Sequence, residues 1–268
     1  MKKEEKIAYA GAAGAYAEAA AKQLFQRGVL TAKEDFAAAY ESVETGGYDC
    51  AVLPIENSYA GDVPQVIDLA FLGSLNITRV YDMEISHCLL GVVGATPEKV
   101  KTVVSHPQAL WQCAGYIRSR GYAVREAENT ATAAANAAQS GDDTVAVIAS
   151  RSAAALYGLT VLDENISESA SNTTRFAVFS KAKANEKGSS FIMFFTVKNE
   201  AGSLGRAVSV IGDYGFNLRA LKSRPTKVNN WEYYFYVCGD GDIYGERGQS
   251  MLAKLNECCL SVKIAGTY

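Results

Sequence analysis

Histidine and paired cysteine are what this chain has least of. Only His87 and His106 occur in 268 residues, and the six cysteines (50, 88, 113, 238, 258 and 259) include no C-x-x-C spacing. A zinc or thiolate site therefore lacks its ligands, and neither a metal nor another cofactor is expected. The cysteines read as small core hydrophobes of a reducing compartment. No Lys/Arg block stands out and the net charge is -3, which removes the footprint of a nucleic-acid binder. No apolar run approaches the roughly 18 residues needed to span a bilayer. The opening Met1-Lys2-Lys3-Glu4-Glu5-Lys6 leads straight into Ile7-Ala8-Tyr9-Ala10, without the apolar core and cleavage site of a signal peptide. A cytoplasmic protein is expected. With 49% hydrophobic and 21% charged residues the composition is that of an ordinary globular chain.

What is present is alternation. Apolar runs at 6–10, 49–53, 76–90, 101–105, 122–126, 144–149 and 175–180 read as strands. Helical patterns at 15–28, 35–46, 63–73, 107–120, 130–140 and 150–158 lie between them. In the 107–120 segment Leu110, Ala114 and Ile117 recur at helical spacing behind a first-turn Pro107. Such alternation predicts βαβ units and mostly parallel sheets. The long region 76–90, with a second crossing near 163–175, suits a bilobal clamp holding its ligand in the cleft. Lys181–Ser190 is polar, charged and without periodicity, so it reads as a linker. Beyond it come strand 191–198, helix 203–214, strands 217–223 and 231–238, helix 244–257 and strand 260–266. That is βαββαβ, the ferredoxin-like order, in a small unit with an open edge suited to pairing with a second copy.

Several strands end in a polar cluster followed at once by a helix: Gly11–Gly14, Pro54-Ile55-Glu56-Asn57-Ser58, Ser105-His106-Pro107-Gln108, Asn129-Thr130-Ala131-Thr132 and Ser150-Arg151-Ser152. Each one alone can be a simple helix cap. Together they put backbone N–H groups at the carboxyl ends of strands, where open α/β sheets bind ligands and where anions are favoured. A small polyanionic substrate is expected. The run Asn172-Thr173-Thr174-Arg175-Phe176 adds an arginine fork, two hydroxyls and an amide, a set suited to a carboxylate or to an ordinary turn.

These same runs resemble the prephenate dehydratase family in order and spacing, as does Ala155-Leu156-Tyr157-Gly158-Leu159. Gly202-Ser203-Leu204, Gly215–Leu218, Ser223-Arg224-Pro225 and Asn230-Trp231-Glu232 resemble that family's ACT domain. The resemblance implies an α/β fold: a bilobal periplasmic-binding-protein-like catalytic domain over residues 1–182 and a ferredoxin-like ACT regulatory domain over residues 190–268. It implies conversion of prephenate to phenylpyruvate in phenylalanine biosynthesis, under control by phenylalanine and as a homodimer or homotetramer. No chorismate mutase helices precede the first strand, so a monofunctional version is expected. Thr174 matches the family's threonine at the leaving hydroxyl, and is chemically a hydrogen-bond donor before it is an acid. Arg175 holds a carboxylate or neutralises developing charge. Glu56 is either a rival proton source or a cap of the next helix. Asn57, Ser58, Ser105, His106, Gln108, Thr130, Thr132, Asn172, Thr173 and Phe176 complete the expected substrate site, with His106 read first as a helix cap. Gly202, Ser203, Leu204, Asn217, Leu218, Lys222, Ser223, Arg224 and Pro225 are the expected effector site, between paired ACT units. Lys222 stands where the family has Glu, and Ser203 where it has Ala. The first motif departs as well: Ala15 and Ala17 replace two hydroxyls, leaving only backbone amides for contact. Arogenate dehydratase, acting on the amino analogue, and a non-catalytic binding protein with an ACT sensor are the alternatives.

Overall fold

The structure is a computed structural model that describes residues 4–168, 172–183, 188–227 and 231–268. Met1–Lys3, the centre of the expected linker (184–187) and Asn230 lie outside the described residues. The chain runs β1 (Lys6–Ala10), α1 (Tyr16–Leu24), β2 (Val29–Lys33), α2 (Phe36–Glu44), β3 (Cys50–Asn57), β4 (Gly61–Asp62), α3 (Pro64–Leu72), β5 (Asn76–Glu84) and β6 (Cys88–Gly91). It continues through β7 (Thr102–Ser105), α4 (Pro107–Gln112), α5 (Ala114–Arg120), β8 (Ala123–Glu126), α6 (Thr130–Ser140), β9 (Val145–Ala149), α7 (Arg151–Tyr157), β10 (Thr160–Asp163) and β11 (Thr173–Ser180). Last come β12 (Ser190–Thr196), α8 (Ser203–Asp213), β13 (Asn217–Pro225), β14 (Tyr233–Asp240), α9 (Glu246–Cys258) and β15 (Ser261–Thr267).

Two compact units divide these elements: Met1–Val66 with Tyr81–Phe176, and Ile67–Val80 with Ala177–Tyr268. The division cuts α3, β5 and β11 and gives residues 67–80 to the second unit, so it does not follow the break between 182 and 190 expected from the linker.

In the first unit β1 pairs in parallel with β2 and β3. A second sheet has the order β10-β6-β9-β7-β8, with β7 parallel to both neighbours and β6 antiparallel to both of its own. Small residues bring helices close to these sheets: Ala17, Ala20 and Ala21 are the buried stripe of α1, and Ala131, Ala133, Ala134 and Ala137 that of α6. The run 76–90 is two strands. Ile85–His87 leave the ladder because Ile85 N donates to Asn172 O at 2.7 Å and Ile166 N to His87 O at 3.1 Å. The two segments expected to cross between lobes thus bond to each other. The helix expected over 107–120 breaks at Cys113, whose φ of -113° and ψ of 16° are not helical. Strands β2 and β10 went unread: each is a half-exposed edge strand without a continuous apolar run.

The second unit contains the expected βαββαβ order, with antiparallel strands in the sequence β13-β14-β12-β15. Its core is aromatic and aliphatic, built on Phe191, Met193, Phe195, Ile211, Phe216, Val237, Met251 and Leu255. At the far edge β15 meets β5 in parallel through Gly266 and Ile77. A Cβ on Gly266 would lie 2.2 Å from Ile77 O, and backbone there cannot swing aside as a side chain would. Gly266→Ala is therefore expected to destabilise the unit by about 1–3 kcal/mol, the range of overpacking. Urea titration checks this, and an unchanged midpoint would refute the close approach.

Candidate active site

Asn57 ends β3 and is 6% exposed. Its Oδ1 accepts the backbone N–H groups of Tyr59 (3.0 Å) and Ala60 (2.9 Å), an Asx turn that leaves no doubt which end of the amide is oxygen. Its Nδ2 therefore faces Asn172 Oδ1 at 2.8 Å and Thr174 Oγ1 at 2.9 Å as a donor. Thr174 thus accepts through oxygen and keeps its own O–H to give away. Ser58 ties the same two segments: its N donates to Thr173 O at 2.8 Å and its Oγ accepts from Thr173 N at 2.9 Å. The motifs 54–58 and 172–176 are brought together by these bonds.

The network continues through residues that the sequence reading missed. Asn172 Nδ2 donates to Gln112 Oε1 at 3.2 Å, and that oxygen also lies 2.8 Å from His87 Nε2. His87 Nδ1 meets Tyr16 Oη at 2.9 Å. Asn172, Gln112 and His87 are 2%, 5% and 3% exposed. Gln112 Nε2 has no hydrogen-bond partner among the described residues and borders a small cavity with Tyr59, Ser167 and Asn172. Burial pushes the His87 pKa down, against a weaker pull from Gln112, so the ring is neutral near pH 7. Beside the cavity Tyr59 packs on Trp111 with ring centroids 4.7 Å apart.

Arg175 is already engaged. Its Nε and Nη2 hold Asp82 at 2.7 and 2.8 Å, and its Nη1 reaches Glu56 Oε2 at 3.2 Å. Asp82 was not foreseen. Glu56 does not cap α3; it lies on β3 and accepts from Arg175. His106 does cap: its Nδ1 accepts from Gln108 N at 3.2 Å, which also accounts for Gln108's backbone. Ser105 is fully buried and bonds Ile148 O at 2.6 Å, a role inside the second sheet. Phe176, at 2% exposure, packs in the interior and leaves the substrate set. Thr130 and Thr132 open α6 locally, with Asn129 Oδ1 accepting from Thr132 N at 2.7 Å. The first glycine loop is occupied too: Gly14 N donates to Glu18 Oε2 at 2.6 Å, while Gly14 O accepts from Ser150 at 3.1 Å. An anion there would have to displace Glu18.

The expected effector residues do not gather at one place within the chain. Asn217 is level with Asp240 and Ser190, whereas Arg224 is level with Tyr234 and Thr196. Nine extended residues span about 27 Å, so Asn217 and Leu218 lie at the opposite end of β13 from Ser223, Arg224 and Pro225. Gly202, with φ of 82°, caps α8; Ser203 is buried and accepts from Arg206 at 3.0 Å; Leu204 and Leu218 pack on the core. Lys222 is half-buried on β13. Arg224 is committed to Asp68 of α3, with Nε and Nη2 at 2.8 and 3.0 Å from its two oxygens. Lys227 and Tyr234 bond the same carboxylate at 2.7 and 2.5 Å.

The sequence model of prephenate dehydratase matches residues 7–184. A chloroplastic arogenate dehydratase/prephenate dehydratase of Arabidopsis thaliana is 34% identical, over 98% of this chain and 71% of its own length. A solved prephenate dehydratase from Arthrobacter aurescens, in complex with L-Phe, is 26% identical with a TM-score of 0.91, covering 98% of this chain and 89% of its own. A second solved chain, described as a novel type of quorum quenching acylase, is 28% identical with a TM-score of 0.90, covering 98% and 97%.

The Asp68 cluster yields a pH test. Burial pushes this carboxyl up, but hydrogen bonds from Arg224, Lys227 and Tyr234 outweigh it and hold the pKa down at about 2, from 3.8. A depressed carboxylate adds stability that is complete above the unfolded value and lost as pH falls through the folded one. The contribution is about 2 kcal/mol. Asp68→Asn should therefore lose at least about that much at neutral pH, where it also strands Arg224. The deficit should shrink as pH drops from about 4 toward about 2 in urea titrations. A deficit independent of pH would show that the carboxylate's charge is not what stabilises.

Proposed function

The chain belongs to the prephenate dehydratase family, and from that membership we propose that it is a carbon–oxygen lyase converting prephenate to phenylpyruvate for phenylalanine biosynthesis. The C–C bond to the ring carboxylate breaks and its electron pair aromatises the ring. The C–O bond to the ring hydroxyl breaks in turn, and the leaving hydroxide takes up a proton as water. Aromatisation drives both cleavages, so the protein needs to bind two carboxylates and ease hydroxide departure.

One observation carries the assignment: Asn57 donates to Thr174 Oγ1 at 2.9 Å, so the Thr174 O–H is left to hydrogen-bond the departing hydroxyl. Thr174 is the catalytic donor in this reading. Arg175, held by Asp82 and Glu56, supplies a positive charge of fixed orientation, and a substrate carboxylate reaches its fork only by exchange with Asp82. Glu56, already an acceptor for Arg175, is the weaker candidate for proton donor. Asn172, Thr173 and Ser58 shape the same pocket, and Gln108, Thr130 and Thr132 lie at helix starts open to a carboxylate. The name of the Arabidopsis relative favours arogenate as a second substrate. No helix of the described residues is long and apolar enough to cross a membrane.

Residues 1–182 are assigned to catalysis and 190–268 to an ACT domain that binds phenylalanine, the ligand of the Arthrobacter relative. β13 is the open edge of its sheet. Two copies paired antiparallel there would bring Asn217 and Leu218 of one beside Lys222–Pro225 of the other, which a single chain does not do. That pairing supports an effector site between protomers, with Gly202–Leu204 as its further expected members.

Purified protein incubated with prephenate, arogenate and an acylated amide tests the reading. Phenylpyruvate from prephenate supports it; acyl hydrolysis alone would sink it. Thr174→Ala should lower kcat by about 10²-fold, the loss of one transition-state donor. Light scattering should give a dimer or tetramer, and phenylalanine should inhibit; a monomer that still responds to phenylalanine would remove the paired site.

A further inference from the structure

His87 is used by nothing described so far, yet it is 3% exposed and bonded at both ring nitrogens. Its protonation pattern follows from the far end of the network. Asn57 Oδ1 is claimed by two backbone N–H groups, so Asn57 Nδ2 must donate to Asn172 Oδ1. Asn172 Nδ2 must then donate to Gln112 Oε1. That oxygen faces His87 Nε2 at 2.8 Å, and only an N–H there avoids opposing two lone pairs. In the neutral ring Nδ1 then carries no hydrogen, and it shares the single hydrogen of Tyr16 Oη, 2.9 Å away, with Ser86 O, which lies 2.8 Å from the same hydroxyl. Read from the Asn57 anchor, one orientation of Asn172 and Gln112 sets each facing donor against an acceptor, with Gln112 Nε2 left without a partner among the described residues.

We propose that His87 is a positioning residue for the Thr174 hydroxyl, acting through the Gln112, Asn172 and Asn57 side chains. The inference rests on the dehydratase reading. Without the His87 N–H, Gln112 Oε1 keeps one donor instead of two, and its amide is free to turn over, because Gln112 Nε2 is anchored by nothing described. Rotation would set an N–H against Asn172 Nδ2. Relief of that clash turns Asn172, which then competes with Asn57 for a donor. The cost reaches Thr174 as a hydroxyl that no longer has its acceptor side fixed. His87 also sits on the first crossing between lobes, and Gln112 on α4 of the second lobe, while Asn57 ends β3 and Thr174 begins β11 in the first. The hydroxyl's aim therefore depends on the lobes being in register.

A purely structural role for this buried row predicts loss of stability with kcat untouched in whatever protein remains folded. A positioning role predicts a kcat defect that disappears when Thr174 is absent. The experiment is a double-mutant cycle on the full chain with prephenate as substrate, with melting curves for every variant. His87→Leu should lower kcat about tenfold with KM within about twofold, and cause no further fall in the Thr174→Ala background. His87→Gln, whose amide nitrogen reaches the place of Nε2, should recover most of the loss; His87→Asn, which reaches the place of Nδ1, should not. If His87→Leu does not fold, the Gln and Asn variants decide alone. A wild-type kcat in folded His87→Leu, an equal loss with and without Thr174, or a Gln variant no better than Asn each overturns the proposal. Wild-type protein inert toward both prephenate and arogenate would instead overturn the dehydratase reading, which separates the two failures.

Discussion

Two backbone N–H groups, those of Tyr59 and Ala60, hold the side-chain oxygen of Asn57, and the polarity of the whole site follows from that clamp. Four polar side chains (Asn57, Asn172, Gln112 and His87) are buried in one row. Each could lose about 1–3 kcal/mol if a donor or acceptor went unmet, so a row with one wrong amide is worse than an apolar one. A row is stable only if one member is fixed from outside. The turn after β3 supplies that member, and it does so with backbone, which cannot flip. The polar side chains of the candidate site are thus oriented by a turn of the backbone.

Charge is arranged with similar economy. Arg175 faces Asp82 through two parallel bonds and Glu56 through one, so two carboxylates hold its guanidinium in one direction. A dianionic substrate entering such a cluster meets a fork whose direction is preset, and the desolvation of the guanidinium is already offset by its partners. Lysine could match the charge but not the bidentate grip on Asp82, which is why the two cations are not equivalent here. In the second unit the same device recurs with Asp68, which takes donors from Arg224, Lys227 and Tyr234.

The motifs around Asn57 and Thr174 were legible because their residue types cluster in sequence, and the alternation of runs located most elements within a few residues. Misreadings have separate causes. Periodicity joins 76–90 into one strand because nothing in Ile85-Ser86-His87 announces that its N–H and C=O groups bond to a distant crossing. Asp82 shares a half-exposed strand with Glu84, and only the fold brings it to Arg175. Gln112 did carry a signal: it shares the buried face of α4 with Ala109 and Leu110, and a polar residue on an apolar face needs a partner. His87, beside the apolar run of β6, carried the same one. Phe176 was grouped with its neighbours by adjacency; it shares a face with Thr174, two residues before it, but it stands where β11 passes from half-buried to fully buried.

The effector residues fail as a single-chain site for a related reason, and the failure has a thermodynamic consequence under the proposed reading. Asn217 and Pro225 belong to one run of nine residues, but the strand that they form puts them about 27 Å apart. A ligand that needs both ends of β13 must take them from two chains. It then binds the pair and not the single protomer, so linkage makes ligand and self-association raise each other's affinity by the same factor. Sensitivity to phenylalanine in dilute protein would consequently depend on protein concentration until pairing is complete. Arg224 is unsuited to carry that coupling by direct contact, since releasing it would take from Asp68 its two-pronged partner and leave only Lys227 and Tyr234. The contacts left to the ligand are those at Gly202–Leu204 and at the start of β13, where backbone groups rather than committed charges are on offer.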